Sequence, residues 1–499
     1  MKKLILAILL SLVVFSPEVY ASSLSCRFTV EEKAGILPIE SEIKNSQVVS
    51  RRLKLQNTHR SQKLKAELKS GQRSKRWDMI IVGAGPQAAA AALAARGTNL
   101  KVLIVDKSDV VASNFAHKEF VINSVETNTM SMHDYPNSKI KFNHFSSTKY
   151  ASSHQLAAFL QAQIFHSKAD VLLKTEVLGL EIDPVTGISR LITSGSLNLE
   201  APVVLVATGL GVATTKIRDT QYAELYAQKA KEFETTAELN SVMSTETFMK
   251  LIERARLGDK KVVMPKSMAL IGNGDGARIV VEELLDSRVK LPENFKIFWL
   301  GNEANTADEY IKSQLGWDRY IDRVVPFYKA GVIDALPGHV SSVIDIDGTL
   351  KIKLDQKDNQ GNLLQQVEIE AAMIVDSTGY DNVGKKLVDK SFPGSTLADV
   401  TGSIPFRQID SAVLARQVVI NGQPTGTYLV GPAAGSDIVS KAELGSFSPR
   451  ASVSIHLNIP KVYQLVKNLF EITREDGLVN GAKKETPPVM SSDEILKAL

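Results

Sequence analysis

Residues 79–107, MIIVGAGPQAAAAALAARGTNLKVLIVDK, decide the fold. Four apolar residues typical of a buried strand lead into a GxGxx(G/A) turn, which is followed by an alanine-rich helical segment and a second apolar strand, VLIV. In such a turn the first glycine permits a tight bend and the second lets a pyrophosphate approach the backbone. The helix N-terminus then points at the anion. This stretch therefore predicts a dinucleotide-binding βαβ unit.

The same turn occurs a second time. After MALI at 268–271, the chain reads GNGDGA at 272–277 and continues through a helical pattern into KIFWLG. One such turn is weak evidence, because glycines are common, but two turns imply two dinucleotides. The residues assigned to the two turns are Gly83, Ala84, Gly85, Pro86, Gln87 and Ala88 in the first and Gly272, Asn273, Gly274, Asp275 and Ala277 in the second.

A carboxylate follows the second strand of the first unit. Asp106 lies 21 residues beyond Gly85, where an acidic side chain meets a ribose hydroxyl in such units, and we include the adjacent Lys107 in the site. The alternative is that Asp106 is a solvated residue at a strand end. In the second unit the corresponding candidate is Glu303, which could equally be a loop residue. No Lys or Arg follows that strand until Lys312, which favours NADH over NADPH.

The two units also resemble each other in the strand that ends each of them. VVLVATG at 203–209 and MIVDSTG at 373–379 are apolar strands that end in a Thr-Gly pair, and each follows strand-and-turn segments typical of a β-meander. The order of parts is thus the same in both units, which predicts a duplicated nucleotide-binding domain. The residues assigned to these strand ends are Ala207, Thr208 and Gly209 in the first unit and Thr378 and Gly379 in the second.

This arrangement resembles the flavoproteins with two dinucleotide-binding domains, in which one domain holds FAD and an inserted one holds NAD(P)H. The segment at 77–107 resembles their FAD turn, LVATG and DSTGY their domain-crossing strands, and YLVGPAAGSD at 428–437 their late flavin-contacting strand. The resemblance covers most of residues 77–460. It implies an α/β fold of two Rossmann-like domains, the NAD(P) domain inserted into the FAD domain, each with a β-meander crossover. It also adds Gly431 and Asp437 to the flavin site, where Asp437 is expected to contact the ribityl chain; the alternative for Asp437 is a loop-capping role.

Within this superfamily, TGYD at 378–381 and HQLAAFLQAQ at 154–163 resemble flavin-containing and N-hydroxylating monooxygenases. The chain departs from the FAD pattern at Ala88, where glycine is usual, and at Asp106, where glutamate is usual. It also has no GGxW-like segment and no FxGxxxHxxxW signature. The resemblance implies an oxidoreductase that accepts hydride from NAD(P)H and passes it to oxygen and an organic substrate. The alternatives are an NAD(P)H:quinone reductase and a catalytically silent FAD-binding sensor or scaffold.

No catalytic residue and no metal site are assigned from the sequence. His144 and His154 fall near the expected flavin side of the first unit, but a lone histidine is more often a structural residue. The sole cysteine, Cys26, lies upstream of both turns. The paired thiols that disulfide reductases use for electron relay are therefore excluded within this chain.

The N-terminal 76 residues indicate a cellular location and a contact surface. Two lysines precede a 12-residue apolar core at 4–15, and VYA stands before Ser22, which predicts a Sec-type signal peptide and a periplasmic or secreted protein. Residues 44–76 hold eleven Lys and Arg against one acidic residue, Glu67, for a net charge of +10. Such a segment suits peripheral contact with an anionic membrane; the alternative is a solvated linker or a helix with its charged face in water. Because the segment has no interleaved aromatic residues, nucleic-acid binding is not predicted.

The 499 residues are enough for two or three packed domains. The predicted organisation is a signal peptide at 1–21, a basic N-terminal segment at 22–76, an FAD-binding domain at 77–215 and 376–470, a helical insertion at 216–265, an NAD(P)-binding domain at 266–375 and a polar tail at 471–499.

Overall fold

The computed structural model divides the chain into two compact units. The outer unit consists of Leu37–Val212 and Tyr380–Leu499, and the inserted unit of Ala213–Gly379. The structure describes residues 39–116, 122–126, 135, 137–209, 211–236, 241–272, 274–285, 289–301, 318–358, 360, 362–400, 415–435, 455–473 and 489–499. One unit is thus inserted into the sequence of the other, as predicted.

Strands and helices alternate through much of both units. The strands are β1 (Met79–Val82), β2 (Val102–Val105), β3 (Ile122–Glu126), β4 (Tyr150–Ser152), β5 (Asp170–Leu172), β6 (Val177–Ile182), β7 (Ser189–Thr193), β8 (Asn198–Ala201), β9 (Val203–Val206), β10 (Val212–Thr214), β11 (Val242–Ser244), β12 (Ser267–Ile271), β13 (Lys296–Gly301), β14 (Ile333–Pro337), β15 (His339–Ile346), β16 (Thr349–Lys357), β17 (Leu363–Ala371), β18 (Ile374–Asp376), β19 (Gly379–Asp381), β20 (Thr396–Asp399), β21 (Ala415–Ile420) and β22 (Gln423–Val430). The helices are α1 (Glu40–Ser70), α2 (Pro86–Ala95), α3 (Ser113–Ala116), α4 (Ser153–Ser167), α5 (Thr220–Thr236), α6 (Thr245–Arg256), α7 (Asp275–Leu284), α8 (Asp318–Lys329), α9 (Val383–Ser391), α10 (Pro432–Gly435), α11 (Ile455–Leu469) and α12 (Ser492–Ala498).

A seven-stranded sheet, in the order β20-β21-β22-β9-β1-β2-β5, forms the centre of the outer unit. Strands β22, β9, β1, β2 and β5 run parallel, whereas β20 and β21 are antiparallel at one edge. All four residues of β1 are buried, which explains the uninterrupted apolar run MIIV. Met79 and Ile81 belong to a core cluster with residues of α2 and α4, and Ile80 and Val82 to one that includes residues of the three-stranded β6-β7-β8 meander. Ile80 pairs in register with Leu103 on β2 and Val204 on β9, which brings the carboxyl ends of these three strands to one edge.

The inserted unit repeats this centre. Its five-stranded sheet has the order β11-β18-β12-β13-β14, and the pairs along it are parallel. Strand β12 lies between β18 and β13 just as β1 lies between β9 and β2. Each unit also has an antiparallel three-stranded meander, β6-β7-β8 in the outer unit and β15-β16-β17 in the inserted one. The predicted α/β fold of two Rossmann-like units, each with a β-meander, is confirmed.

The basic segment forms a single helix in the described region, α1, with a defined buried face. Five of its apolar residues pack inward, and α1 contacts α4 and β5. The hydroxyl of Ser61 also accepts the backbone N–H of Leu173 at 2.8 Å. The buried apolar residues of α1 are Ile43, Val49, Leu53, Leu64 and Leu68. The segment at 40–70 is thus helical, and it presents exposed basic residues on the face opposite the packed one.

Two segments differ from what their composition indicates. The stretch at 216–265 contains the helices α5 and α6, but β11 between them joins the edge of the inserted unit's sheet beside β18. The polar tail ends in α12, whose Ile495 is fully buried. The side-chain amide of Asn45 in α1 donates to the carbonyl oxygen of Met490 at 2.8 Å and accepts the N–H of Ser492 at 2.7 Å. A strand of three residues, such as β11, and a contact between the two ends of the sequence, such as that of Asn45 with Ser492, leave little signal in local composition.

The predicted signal peptide, residues 1–21, lies outside the described residues. Among the helices of the described part, none is both long enough and apolar enough to cross a bilayer.

One buried histidine gives the outer unit a pH-dependent stability. His166, in the last turn of α4, is 3 % exposed, and neither ring nitrogen has a hydrogen-bond partner among the described residues. Burial, together with the cations Arg96, Lys168 and Lys139, lowers the pKa of His166 from 6.5 to about 4. The unfolded chain therefore binds one more proton than the folded chain between these two pH values.

We predict that the free energy of unfolding decreases by about 2–3 kcal/mol as pH falls from 6.5 to 4 through this group alone, and that the contribution is fully present above pH 6.5. His166→Gln removes the titrating group, so urea unfolding of the variant between pH 4.5 and 7 is expected to show a smaller pH dependence than the parent. His59→Gln, at an exposed position of α1, is the control. Equal pH slopes for parent and His166→Gln would contradict the prediction.

Candidate dinucleotide-binding sites

The first glycine of the outer unit's turn lies between two strand ends. Gly83 has a φ of +108° and donates its N–H to the carbonyl oxygen of Val105 at 2.8 Å. A Cβ atom at this position would lie 2.5 Å from the carbonyl oxygen of Ala207. Only glycine fits such a close approach. The glycine turn and the Ala-Thr-Gly end of β9 are therefore packed directly against each other.

The second glycine leaves the start of α2 open. Gly85 is the N-cap residue in an extended conformation, no side chain caps the helix, and Pro86 occupies its first turn. A Cβ atom at Gly85 would meet nothing within 4 Å. An uncapped helix N-terminus presents N–H groups and the positive end of the helix dipole. With open space beside it, this end of α2 suits an anionic group such as a pyrophosphate.

Asp106 is bonded to the same turn. Its carboxylate accepts the N–H of Ala84 and the N–H of Ser108, both at 2.7 Å, through different oxygens. The side chain is half-buried, whereas the adjacent Lys107 is exposed. Because each carboxylate oxygen can accept more than one hydrogen bond, Asp106 can hold the turn and also accept a ribose hydroxyl. The structure thus gives Asp106 a role in holding the turn, and its ribose contact stays a prediction.

Strand β22 reaches this turn from the far end of the sequence. Gly431, directly after β22, has a φ of +63°, and a Cβ atom there would lie 2.8 Å from Cγ of Gln87. Gln87 is buried in the first turn of α2. The predicted residues Gly431 and Gln87 are thus neighbours, although 344 positions separate them in the sequence. Ala88, which replaces the usual glycine, is fully buried.

The Thr-Gly end of β9 packs against α9. A Cβ atom at Gly384 would lie 2.6 Å from the hydroxyl oxygen of Thr208 and 2.9 Å from Cγ1 of Val206. The hydroxyl of Thr208 is buried and has no hydrogen-bond partner among the described residues. Gly209, which follows, has a φ of +72°. Gly384 is therefore part of the site's framework and was not predicted, because only the folded chain brings it to Thr208.

The inserted unit reproduces the glycine geometry. Gly272 has a φ of +127°, donates its N–H to the carbonyl oxygen of Leu300 at 2.8 Å, and would place a Cβ atom 2.6 Å from the carbonyl oxygen of Ser377. Gly274 is the extended N-cap residue of α7, again with no side-chain cap and with open space where a Cβ atom would lie. Each of these features has its counterpart at Gly83 or Gly85. The sequence duplication is thus also a duplication of the turn geometry.

Further contacts stabilise the second turn. Ala277 is fully buried and donates its N–H to the carbonyl oxygen of Gly274 at 3.1 Å. The indole N–H of Trp299 donates to the carbonyl oxygen of Gly272 at 2.9 Å. A Cβ atom at Gly276 would lie 2.9 Å from the hydroxyl oxygen of Ser377. The turn is therefore packed tightly on its sheet side.

The residue before Ser377, Asp376, is a buried carboxylate that accepts several hydrogen bonds. Asp376 is 3 % exposed and accepts the Tyr222 hydroxyl at 3.0 Å and both the N–H and the hydroxyl of Thr378, at 2.8 and 2.6 Å. Burial raises the pKa of Asp376, while its hydrogen bonds to Thr378 oppose that shift. Burial and the neighbouring Asp376 raise the pKa of Tyr222 well above 10. Sequence analysis missed this pair, because a carboxylate at the end of a strand reads equally well as a solvated one.

The remaining predicted residues are placed as follows. Asn273, Glu303, Lys312 and Asp437 lie outside the described residues, and for Asp275 only the backbone is described. His144 is buried, its Nδ1 accepts the N–H of Lys141 at 3.2 Å, and burial together with Lys141 lowers the pKa of His144. His154 is buried in the first turn of α4. The structure assigns neither histidine a catalytic contact.

Comparison with known proteins agrees with this geometry. Residues 80–241 match the family model described as pyridine nucleotide-disulphide oxidoreductase. No curated protein sequence matches the chain significantly.

Solved structures extend the likeness to most of the chain. The bacillithiol disulfide reductase from Staphylococcus aureus is 14 % identical with a TM-score of 0.51, covering 80 % of this chain and 99 % of that one. The L-lysine 6-monooxygenase from Pseudomonas syringae is 14 % identical with a TM-score of 0.52, covering 80 % and 100 %. The FAD-bound cadaverine monooxygenase from Erwinia amylovora is 12 % identical with a TM-score of 0.52, covering 83 % and 99 %. The chain has the fold of the two-domain FAD- and NAD(P)-binding oxidoreductases, as the resemblance implies.

The two glycines of each turn are predicted to respond differently to alanine. In Gly83→Ala the added methyl group meets the Ala207 carbonyl in a left-handed backbone conformation, so we expect the apoprotein to lose more than about 2 kcal/mol of unfolding free energy. In Gly85→Ala the methyl group enters open space, so stability is retained, but FAD affinity falls at least about tenfold because the anion's position is filled. Urea unfolding of the apoprotein and FAD titration measure the two effects.

Gly272→Ala and Gly274→Ala provide the matched pair in the inserted unit, with NADH as the titrated ligand. A Gly85→Ala variant that binds FAD as tightly as the parent would contradict the assignment of the open space to a pyrophosphate. A fully stable Gly83→Ala variant would contradict the steric argument.

Proposed function

We propose that this protein is an FAD- and NAD(P)H-dependent oxidoreductase, with FAD in the outer unit and NAD(P)H in the inserted unit. The observation that carries the proposal is the duplicated open helix N-terminus, at Gly85 and at Gly274, each beside a glycine pressed against a strand end. The residues present fit the two dinucleotides, because the helix that follows the glycine turn of each unit has no side-chain cap and has open space where a Cβ atom of its second glycine would lie. FAD belongs to the outer unit, because β22 completes that site at Gly431.

The bound flavin would accept a hydride from the nicotinamide and pass electrons to an acceptor. The chain's own residues bind and orient the two cofactors. Gly85 and Gly274 would admit the phosphates, and Asp106 would accept the ribose hydroxyl while its bond to Ala84 keeps the turn in place. NADH is the proposed donor, on the sequence argument that no Lys or Arg follows β13 until Lys312.

Oxygen is the proposed electron acceptor, with one oxygen atom transferred to an organic substrate and the other released as water, as in a monooxygenase. The TGYD and HQLAAFLQAQ segments support this, since they resemble monooxygenases rather than thiol-dependent reductases. The single cysteine, Cys26, also argues against the disulfide chemistry named for the bacillithiol enzyme. A quinone reductase and a silent FAD-binding scaffold are the competing functions, and each predicts a different response to NADH and oxygen.

Anaerobic mixing with NADH provides the test. We expect the purified protein to carry FAD, its visible flavin absorbance to bleach on mixing, and the colour to return when oxygen is admitted. Gly274→Ala should keep its flavin and need at least about tenfold more NADH for the same reduction rate, because only the inserted site is altered. Stopped-flow absorbance and an oxygen electrode measure both steps.

Protein that cannot be loaded with FAD would overturn the proposal. Flavin that no nicotinamide reduces would favour the silent scaffold, and reduced flavin that reacts with a soluble quinone much faster than with oxygen would favour the reductase.

We also propose export through the Sec pathway, supported by the charged start, the apolar core at 4–15 and the VYA site before Ser22. N-terminal sequencing of secreted or periplasmic protein tests this proposal. A mature chain that begins at Ser22 is the expected result. A protein that stays in the cytoplasm and still begins at Met1 would refute the proposal.

The outward face of α1 is proposed to contact an anionic membrane surface. Arg51, Arg52 and Lys63 are exposed on this helix, and Val48 and Leu55, 52 % and 67 % exposed, lie on the same outward side. A rigid row of cations with apolar side chains between them suits a negatively charged bilayer surface. The inward face is occupied by packing against the outer unit, so this is the face that remains for a partner.

Replacing Arg51, Arg52 and Lys63 by glutamine should weaken binding to phosphatidylserine-containing vesicles about 10- to 100-fold, since each cation near such a surface contributes about 1 kcal/mol. Arg60 is kept, because it stacks on Phe165 at 4.1 Å and contributes to packing. The matched control replaces the exposed Lys260, Lys261 and Lys290 of the inserted unit. Vesicle sedimentation at low and high salt provides the measurement, and equal effects of the two triple variants would refute a specific role for α1.

A further inference from the structure

The carboxylate of Asp376 connects the segments by which the chain enters and leaves the inserted unit. Its partners Thr215 and Tyr222 follow the incoming strand β10, and Thr378 precedes the outgoing strand β19. The hydroxyl of Thr215 also accepts the N–H of Ile217 at 3.1 Å. The carboxylate therefore joins the incoming and outgoing segments to each other, just inside the inserted unit at both crossing points.

A second layer of contacts joins the same two segments. The backbone N–H of Lys216 donates to the hydroxyl oxygen of Thr378 at 2.7 Å. A Cβ atom at Gly379 would lie 2.7 Å from Cγ of Lys216, so the outgoing chain passes directly beside the incoming one. Asp219 accepts the N–H of Tyr222 at 2.7 Å at the start of α5, which fixes the turn that carries the Tyr222 hydroxyl. The incoming and outgoing segments thus form one hydrogen-bonded block.

The outer unit provides an internal comparison. Ile271 pairs in register with Asp376 on β18, as Val82 pairs with Val206 on β9, so the duplication places Asp376 opposite Val206. Val206 is fully buried in an apolar cluster. The outer unit therefore builds the same strand end and the same glycine contact with a valine. The fold of such a unit does not require a carboxylate at this position.

The threonines that follow show the same difference. Thr378 donates its hydroxyl to Asp376, whereas the buried hydroxyl of its counterpart Thr208 has no hydrogen-bond partner among the described residues. Burying a carboxylate is costly unless it is well bonded, so its presence in one copy alone calls for a role specific to that copy. The inserted unit is the copy whose two ends must both be held.

We propose that Asp376 is a positioning residue that clamps the incoming and outgoing segments of the inserted unit and thereby orients the proposed nicotinamide site. The inference rests on the proposed function for its catalytic consequence but not for the clamp itself. Ser377, next to Asp376, donates its N–H to Ile271 at 2.8 Å and holds its carbonyl against Gly272. Loosening the clamp therefore affects how the nicotinamide is presented for hydride transfer more than whether the dinucleotide binds.

Asp376→Asn keeps the size of the side chain and removes its charge. Hydrogen–deuterium exchange of the full chain is expected to accelerate about tenfold at amides of 213–222 and 377–381, the factor that corresponds to losing a charged hydrogen bond. Exchange in β12 and in the outer unit's β1 should be unchanged. Asp334→Asn, on β14 and paired with Lys296 at the surface at 2.7 Å, is the control. Unchanged exchange in both segments, or acceleration across the whole inserted unit, would overturn the clamp.

Anaerobic stopped-flow reduction tests the consequence. For Asp376→Asn we expect the limiting rate of flavin reduction to fall about tenfold while the NADH dissociation constant changes less than about threefold and flavin content is unchanged. The opposite pattern, weaker NADH binding at an unchanged limiting rate, would overturn the positioning role. If the parent protein oxidises no nicotinamide, the proposed function fails, and the exchange experiment still decides the clamp. Tyr222→Phe, which removes a single donor, gives a milder form of both effects should Asp376→Asn not fold.

Discussion

The contact between the first glycine of each turn and the carbonyl group at the end of a neighbouring strand is the constraint on which both units depend. Parallel strands lie about 4.8 Å apart, so a chain that bends sharply off one strand must pass close to the end of the next. Gly83 passes Ala207 in this way, and Gly272 passes Ser377. The bend in turn aims the helix N-terminus over the sheet edge. The open anion position is therefore a consequence of strand geometry rather than of any charged side chain.

Features set by neighbouring residues could be predicted from the sequence. The glycine turns, the central strands and the meanders each depend on a few tens of consecutive residues, and their hydrophobic and glycine patterns carry the information. The ribose contact predicted for Asp106 stays a prediction, and the bond of its carboxylate to the N–H of Ala84 was not predicted, because it depends on the exact path of the folded backbone.

Features set by distant residues could not be predicted. Gly384 meets Thr208, Gly431 meets Gln87, and Asn45 bonds Ser492 across 447 positions, and none of these contacts leaves a local pattern. Strand β11 is only three residues long and lies within a stretch whose composition favours helix. Its place is determined by pairing with β18, which is a tertiary contact.

Helix α1 shows why net charge has to be combined with structure. Its inward face mixes leucines with small polar residues such as Ser61, so the apolar pattern is diluted and the segment reads mainly as basic. Packing against α4 and β5 nevertheless fixes one face. Lys54 is engaged with Asp109 at 2.8 Å, whereas Arg51 and Arg52 are exposed on the helix. The charge excess is thus carried by a rigid surface, which loses less conformational entropy on docking than a flexible basic linker would.

The duplication also shows where the two units have diverged. A valine and a carboxylate occupy equivalent strand ends, at Val206 and Asp376, although both units keep the glycine contact and the open helix N-terminus. The shared features are those that any dinucleotide-binding turn needs. The carboxylate instead bonds Thr215, Tyr222 and Thr378, which belong to the segments that connect the inserted unit to the rest of the chain. Because the outer unit folds around valine at the same position, the polar network is best explained by the insertion itself, since the carboxylate bonds the incoming and the outgoing segment of the inserted unit to each other.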